Sequence, residues 1–146
     1  MGFPDRIERM VELAHPPSAV WTALTTAEGL RGWFGDEAAV DLRPSGVGHV
    51  TWTGDRVAEL RVERVEEPRI FGFTWQVTGM PDDDPRRTYV EFTLEPHGSG
   101  TRLTVAESGF AQLPEERYEA TYRSHVEGWP REIAQLAGYL DGLDAA

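Results

Sequence analysis

The sequence predicts an α+β fold: a curved antiparallel sheet of about seven strands around one long C-terminal helix, with two short helices after the first strand. Three observations predict it. Segments of alternating apolar and polar residues follow one another through the middle of the chain, separated by turn residues and not by helical stretches. The C-terminal segment instead repeats its large apolar residues at steps of three and four. Between the first strand and the rest, one stretch, Pro16–Asp36, carries helix signals.

Each element follows in order. "RIERMVEL" (Arg6–Leu13) sets Ile7, Val11 and Leu13 against Glu8, Met10 and Glu12, the pattern of a half-buried strand. Pro16 and Pro17 stop it, and Pro17 suits the first turn of a helix carrying Ala19, Val20, Ala23 and Leu24 on one side. Trp21 is expected in the core between this helix and the sheet. A second short helix starts at "TTAE", with Thr25 as its cap and Glu28 completing a capping box. It carries Leu30, Trp33 and Phe34 and ends at Gly35, although Gly29 and Gly32 weaken it.

Strands follow. "EAAVDLR" is short and expected at an edge. "VGHVTWT" places Val50 and Trp52 on one face, and Gly54-Asp55 fits a two-residue hairpin turn into "RVAELRVERV". After the turn "EEPR", "IFGFTWQV" puts Phe71, Phe73, Trp75 and Val77 on one face. "GMPDDDPR" reads as a polar loop. "RTYVEFTLE" groups Val90, Phe92 and Leu94; "HGSG" turns the chain; "TRLTVAES" groups Leu103, Val105 and Glu107. The tail, from Tyr118 through Trp129 to Leu143, reads as helix. Pro130 inside it predicts a kink or two helices meeting at an angle.

A sheet with one apolar face must be covered, and only the C-terminal helix is long enough to cover it. An antiparallel sheet curled around one helix leaves a space that widens toward one end. The two short helices are expected to close that end with Trp33 and Phe34.

Bulk properties narrow the function. The 146 residues are expected to form a single domain over 1–146. No cysteine is present, which removes disulfides, thiolate chemistry and cysteine-ligated metals. The net charge of −11 and the absence of any basic block argue against nucleic acid. All 14 basic residues are arginine, first of all a coding bias. No run is long and apolar enough for a membrane span, the first residues lack a signal-peptide core, and Arg6 stands where a myristoylation start needs Ser or Thr. The expected location is therefore the cytoplasm, with no membrane partner.

Four segments carry a family resemblance: "AHPPSAVWTALTTAEGLRGWF" (Ala14–Phe34), "EEPRIFGFTW" (Glu66–Trp75), "GSGTRLTVAESGF" (Gly98–Phe110) and "EGWPREIAQLAGYL" (Glu127–Leu140). In order and spacing the chain resembles the START-related SRPBCC superfamily. Within it, the chain most resembles the branch named for the C-terminal domain of the heat-shock-protein-90 ATPase activator. The resemblance implies a helix-grip fold, of the START and Bet v type, with an apolar pocket between sheet and helix. It does not imply one reaction, because the superfamily holds lipid carriers, hormone receptors and cyclases. The eukaryotic activators also have a separate chaperone-binding domain, for which this chain has no room, so a chaperone partner is not expected.

The candidate site is a set of rings, Trp33, Phe34, Trp52, Phe73, Trp75, Tyr122 and Trp129, that either line a pocket or fill a core. Buried indole and hydroxyl groups need partners, which a ligand or a trapped water can supply. Glu107 points inward by strand parity and needs a partner of its own. Arg9, on the same face of the first strand, is one; a backbone donor near "SGF" is another; the third reading makes Glu107 a polar anchor or general base in the pocket. His125, one helical step from Tyr122 and Trp129, either reaches the cavity or is a satisfied structural histidine. Glu107 and His125 are the acid–base candidates. The four histidines show no metal-ligand spacing, so no metal and no cofactor is expected; the Asp82–Asp84 run reads as a solvated loop.

Three functions follow. The first is binding of a small apolar or aromatic molecule in the cavity, without defined catalysis. The second is a cyclase- or hydrolase-like enzyme using the same pocket. The third is a protein-interaction module with a chaperone or a regulator as partner, which predicts an exposed apolar patch. A homodimer through a sheet edge or the helix surface is compatible with the sequence, but no feature selects it.

Overall fold

The computed structural model describes residues 5–52, 56–77, 80 and 84–145. The expected Gly54-Asp55 turn and Asp82 and Asp83 of the acidic run lie outside the described residues. Seven strands form one antiparallel sheet: β1 (Arg6–Leu13), β2 (Glu37–Val40), β3 (Val47–Trp52), β4 (Arg56–Glu66), β5 (Ile70–Trp75), β6 (Thr88–His97) and β7 (Gly100–Ser108). Their order is β1-β7-β6-β5-β4-β3-β2, so consecutive strands are neighbours except that β1 closes onto β7 and β2 forms the other edge. Two short helices, α1 (Pro17–Thr25) and α2 (Ala27–Trp33), follow β1, and one long helix, α3 (Glu115–Ala145), follows the sheet. This is the curled sheet around one long helix that the strand pattern predicts, and the helix-grip fold that the family resemblance implies.

Alternation decides what faces inward. On β6, Thr88, Val90, Phe92 and Leu94 are buried, and on β7, Leu103, Val105 and Glu107 lie on the same side. Ile7 stands opposite Glu107 and Val11 opposite Leu103, so β1 extends that inner face to the edge. Beneath it α3 lays down Trp129, Ile133, Leu136 and Leu140, all in the same buried cluster. On β4 the register slips between Val62 and Arg64. The extra residue of such a bulge bends the strand and sharpens its twist, which helps to curl the sheet around the helix.

The start of α2 differs from the sequence expectation. Thr25 stays in the last turn of α1, where its hydroxyl donates to the Trp21 carbonyl at 2.7 Å. Thr26 is the cap, accepting the Gly29 N–H at 3.0 Å, so Gly29 and not Glu28 occupies the third helical position and the capping box does not form. Trp21 packs edge-on against Phe71 at 6.3 Å, between α1 and the sheet as expected.

A single-turn 3-10 helix at Phe110–Gln112, which the strand-and-helix reading did not anticipate, joins β7 to α3. Asp5 holds it by accepting the Gly109 and Ala111 N–H groups at 3.3 and 2.6 Å. Gly109, with φ of 100°, supplies a left-handed backbone. α3 itself runs unbroken across Pro130, so one helix forms and not two. Pro130 lies on the exposed side, where water can take the hydrogen bond its missing N–H leaves unmade. At the far end, buried His15 binds Asp141 at 2.8 Å through Nε2, tying the β1–α1 corner to the last turns of α3.

Candidate functional site

The interspace between sheet and α3 is packed at one end and open at the other. At the C-terminal half of α3, Ile133, Leu136 and Leu140 are buried against the sheet. α2 packs on this half: a Cβ added to Gly32 would lie 2.1 Å from the Tyr139 ring. The short helices thus seal the packed end, contrary to the expectation that they close the wide one. Only Phe34, just past α2, reaches the opening. The N-terminal half of α3 stands off from the ends of β3, β4 and β5, leaving a groove of about 390 Å³.

One wall of the groove is aromatic. Phe34 lies nearly parallel to Trp75 (5.8 Å, 17°) and to Trp129 (6.2 Å, 11°), and meets Trp52 edge-on at 5.3 Å. The facing wall is α3, which turns Arg117, Ala120, Thr121, Ser124, His125 and Gly128 toward the space. These residues recur at steps of three and four, so they share one helix face. Small side chains at 120, 124 and 128 keep that wall low, while Gln76, Arg131 and Glu132 add polar groups.

Behind the aromatic wall sits Glu107, with no exposed surface. Its Oε2 accepts from the Trp75 indole at 2.9 Å and from the Thr88 hydroxyl at 2.6 Å; its Oε1 accepts from the Trp129 indole at 2.9 Å and lies 2.7 Å from His125 Nδ1. One carboxylate therefore ties β5, β6 and β7 to α3. Burial alone pushes its pKa up, but the His125 bond and charge, with Thr88 and Trp75, outweigh this and hold it below its ordinary 4.5. An ionised carboxylate only accepts, so Nδ1 of His125 carries the hydrogen. That leaves Nε2 on the ring edge turned away from Glu107. His125 lines the groove and packs against Trp75 and Phe110.

The sequence-predicted residues thus fall into three places. Phe34, Trp52, Trp75, His125 and Trp129 line the groove. Glu107 is enclosed behind it and orients three of them. Trp33, Phe73 and Tyr122 are elsewhere: the Trp33 indole donates to the Ala23 carbonyl at 2.8 Å, Phe73 is buried against Phe71 and Phe92, and Tyr122 packs edge-on against Phe110. The expectation that a ligand satisfies the indoles does not hold for Trp33, Trp75 and Trp129, whose N–H groups already have protein acceptors.

Arg9 is not the partner of Glu107. β1 and β7 do pair, but Arg9 stands opposite Val105 and donates to the Glu8 carbonyl at 2.8 Å. The polar stretch of α3 from Arg117 to Gly128 escaped the sequence reading. Its signal was present as a run of small and polar residues on one helix face, but nothing in the sequence says that this face meets a space. Among the described residues no group of three His, Cys, Asp or Glu gathers to hold a metal, and no helix is long and apolar enough to cross a membrane.

Comparison with known proteins gives the family and the fold. A family model described as "Activator of Hsp90 ATPase homolog 1-like protein" matches residues 14–141. No curated protein matches the chain. Among solved structures, protein MLL2253 from Mesorhizobium loti is 26% identical, with a TM-score of 0.75 over 93% of this chain and 96% of that one. DynU16, a protein in the dynemicin biosynthetic locus, is 24% identical with a TM-score of 0.78; the match covers 94% of this chain but 48% of DynU16. The Aha1 dimer from Colwellia psychrerythraea is 17% identical, with a TM-score of 0.75 over 92% of this chain and 95% of that one.

Proposed function

The chain belongs to the activator of Hsp90 ATPase homolog 1-like family, and from that premise we propose that it binds a small apolar or aromatic molecule in the groove between the sheet and α3. One observation carries this reading: an aromatic wall borders about 390 Å³ of unfilled space. That volume falls within the roughly 300–1,000 Å³ typical of small-molecule sites. Trp52 and Trp75 are only half-buried there. Covering their remaining ring surface recovers about 25 cal/mol for each Å² removed from water. Glu107 supports the reading from behind. By holding the Trp75 and Trp129 indoles and the His125 ring, it fixes the wall before any ligand arrives, which lowers the ordering cost of binding.

A second reading rests on His125. A histidine whose Nδ1 is held by a carboxylate and whose other nitrogen faces away from it has the orientation used in acid–base chemistry. This supports a cyclase- or hydrolase-like activity in the same groove. The protein-interaction reading has less support: the large exposed apolar residues among those described, Met10, Val47, Val57 and Leu143, are spread over β1, β3, β4 and α3, with β1 at the far edge of the sheet from β3 and β4. We also propose a homodimer, the state in which the Colwellia protein was solved, formed through a sheet edge or the helix surface.

Titration with the neutral probe N-phenyl-1-naphthylamine tests the binding reading. Its emission should rise with the wild-type protein and fail to rise with Ala120→Trp, which fills the groove from α3. No enhancement, or equal enhancement in the variant, overturns it.

A further inference from the structure

Resting on the groove as the binding site, we propose that it selects planar aromatic molecules that carry an acidic group, with the Arg131 guanidinium as the anion anchor. The groove is not uniformly apolar, and its polar groups are not equivalent. The donors nearest the aromatic wall are already used: the Trp75 and Trp129 indoles and His125 Nδ1 all point back to Glu107. Arg131 is different. It lines the groove, forms no ion pair among the described residues, and keeps its N–H donors for whatever enters.

Its position is defined by the residue it covers. Beyond its chain neighbours and the helix's own backbone, a Cβ built on Gly128 would meet only Arg131 Nη2, at 4.0 Å. The guanidinium therefore bends back toward the start of α3, as helical side chains do, and overhangs a notch where Gly128 has no side chain. Gly128 lies about one turn from His125, and both line the groove, so the notch opens into it. A ring packed on the half-buried Trp52 and Trp75 shares the groove with this notch, where a planar fork of donors matches a carboxylate. Glu132 also lines the groove, so an acidic group is expected on the Arg131 side of it, where Gly128 leaves room. Arg117 adds a second cation farther along the same wall.

The molecule as a whole works against an anion, with a net charge of −11. A preference for an acidic ligand must therefore come from the local site and not from long-range attraction.

The test compares 2-naphthoate with its neutral analogue 2-naphthamide by calorimetry. The wild-type protein should bind the naphthoate about tenfold more tightly, a factor one charge-assisted hydrogen-bonded contact can supply. Arg131→Gln should bring the ratio to about one. Arg123→Gln, the same charge change on an exposed position of the same helix, should leave the ratio as in wild type. Equal affinity for the two compounds in the wild type, or a preference that survives Arg131→Gln, overturns the proposal. If N-phenyl-1-naphthylamine binds but naphthoate and naphthamide do not differ, the acidic-ligand inference fails and the binding function stands. If no aromatic probe binds, both fail.

Discussion

Glu107 combines full burial with four donors, so it is the residue whose loss should be felt most. Glu107→Gln keeps the shape but replaces one accepting oxygen with an amide N–H that faces existing donors. Leaving such buried donors unpaired is expected to cost about 3 kcal/mol, read as a lower urea midpoint at neutral pH. The pH dependence follows from the direction of the shift. The folded-state pKa lies below the ordinary 4.5, so the stabilisation is fully present above 4.5 and is lost as pH falls through the lower folded value. The stability gap between wild type and variant should therefore hold down to about 4.5 and narrow below it. A gap independent of pH would mean that the carboxylate's charge is not what stabilises the fold. At this scale the strand parity of "TRLTVAES" turned Glu107 inward. Its partners were not legible, because Trp75, Thr88, His125 and Trp129 lie 32, 19, 18 and 22 residues away.

At the level of elements, the two glycines that seem to weaken α2 turn out to permit its packing. A Cβ on Gly29 would come within 2.6 Å of the Ala23 backbone, where α1 and α2 touch. Gly138 on α3 has nothing within 4 Å. The same substitution should therefore have opposite signs at the two positions. Gly29→Ala is expected to destabilise by about 2 kcal/mol through overpacking, despite the better helix propensity of alanine. Gly138→Ala should stabilise by about 0.5–1 kcal/mol. Thermal or urea unfolding of the two variants checks this, and equal effects would contradict the close α1–α2 contact. Other element-level differences have similar causes. The cap moved from Thr25 to Thr26 because Thr25 was more useful inside α1, bonded to Trp21. The bulge on β4 leaves a trace in "RVAELRVERV": the inward residues step by two from Ala58 through Leu60 to Val62, then by three to Val65, across the point where the register shifts.

For the whole molecule, charge is the dominant long-range term. With 14 arginines against 25 acidic residues, self-repulsion opposes the compact state. The ion pairs that relieve it, such as Arg6–Glu8, Arg43–Asp41 and Arg123–Glu119, are mostly exposed and individually weak. Added salt should therefore raise the unfolding temperature, as the Debye length falls from about 30 Å at 0.01 M to about 10 Å at 0.1 M. A fall in the unfolding temperature would mean that the surface pairs outweigh the repulsion.

From its sequence alone this chain was bound to an antiparallel sheet and a long C-terminal helix. Period-two and period-3.6 patterning are local properties, and each segment declares its own inner face. The same patterning placed Trp75, Trp129 and His125 on surfaces that converge. Only the tertiary structure decided which part of the interspace stays open. That depends on where α2 docks, on how far the bulged sheet curls, and on which rings find acceptors inside the protein. Trp33 and Phe73 look like pocket residues in sequence and are core residues in space, and Tyr122 is half-buried against Phe110, whereas Ala120, Ser124 and Gly128 look like surface and border the groove. Burial of a given side chain is set by what packs opposite it, and that is a contact between distant parts of the chain.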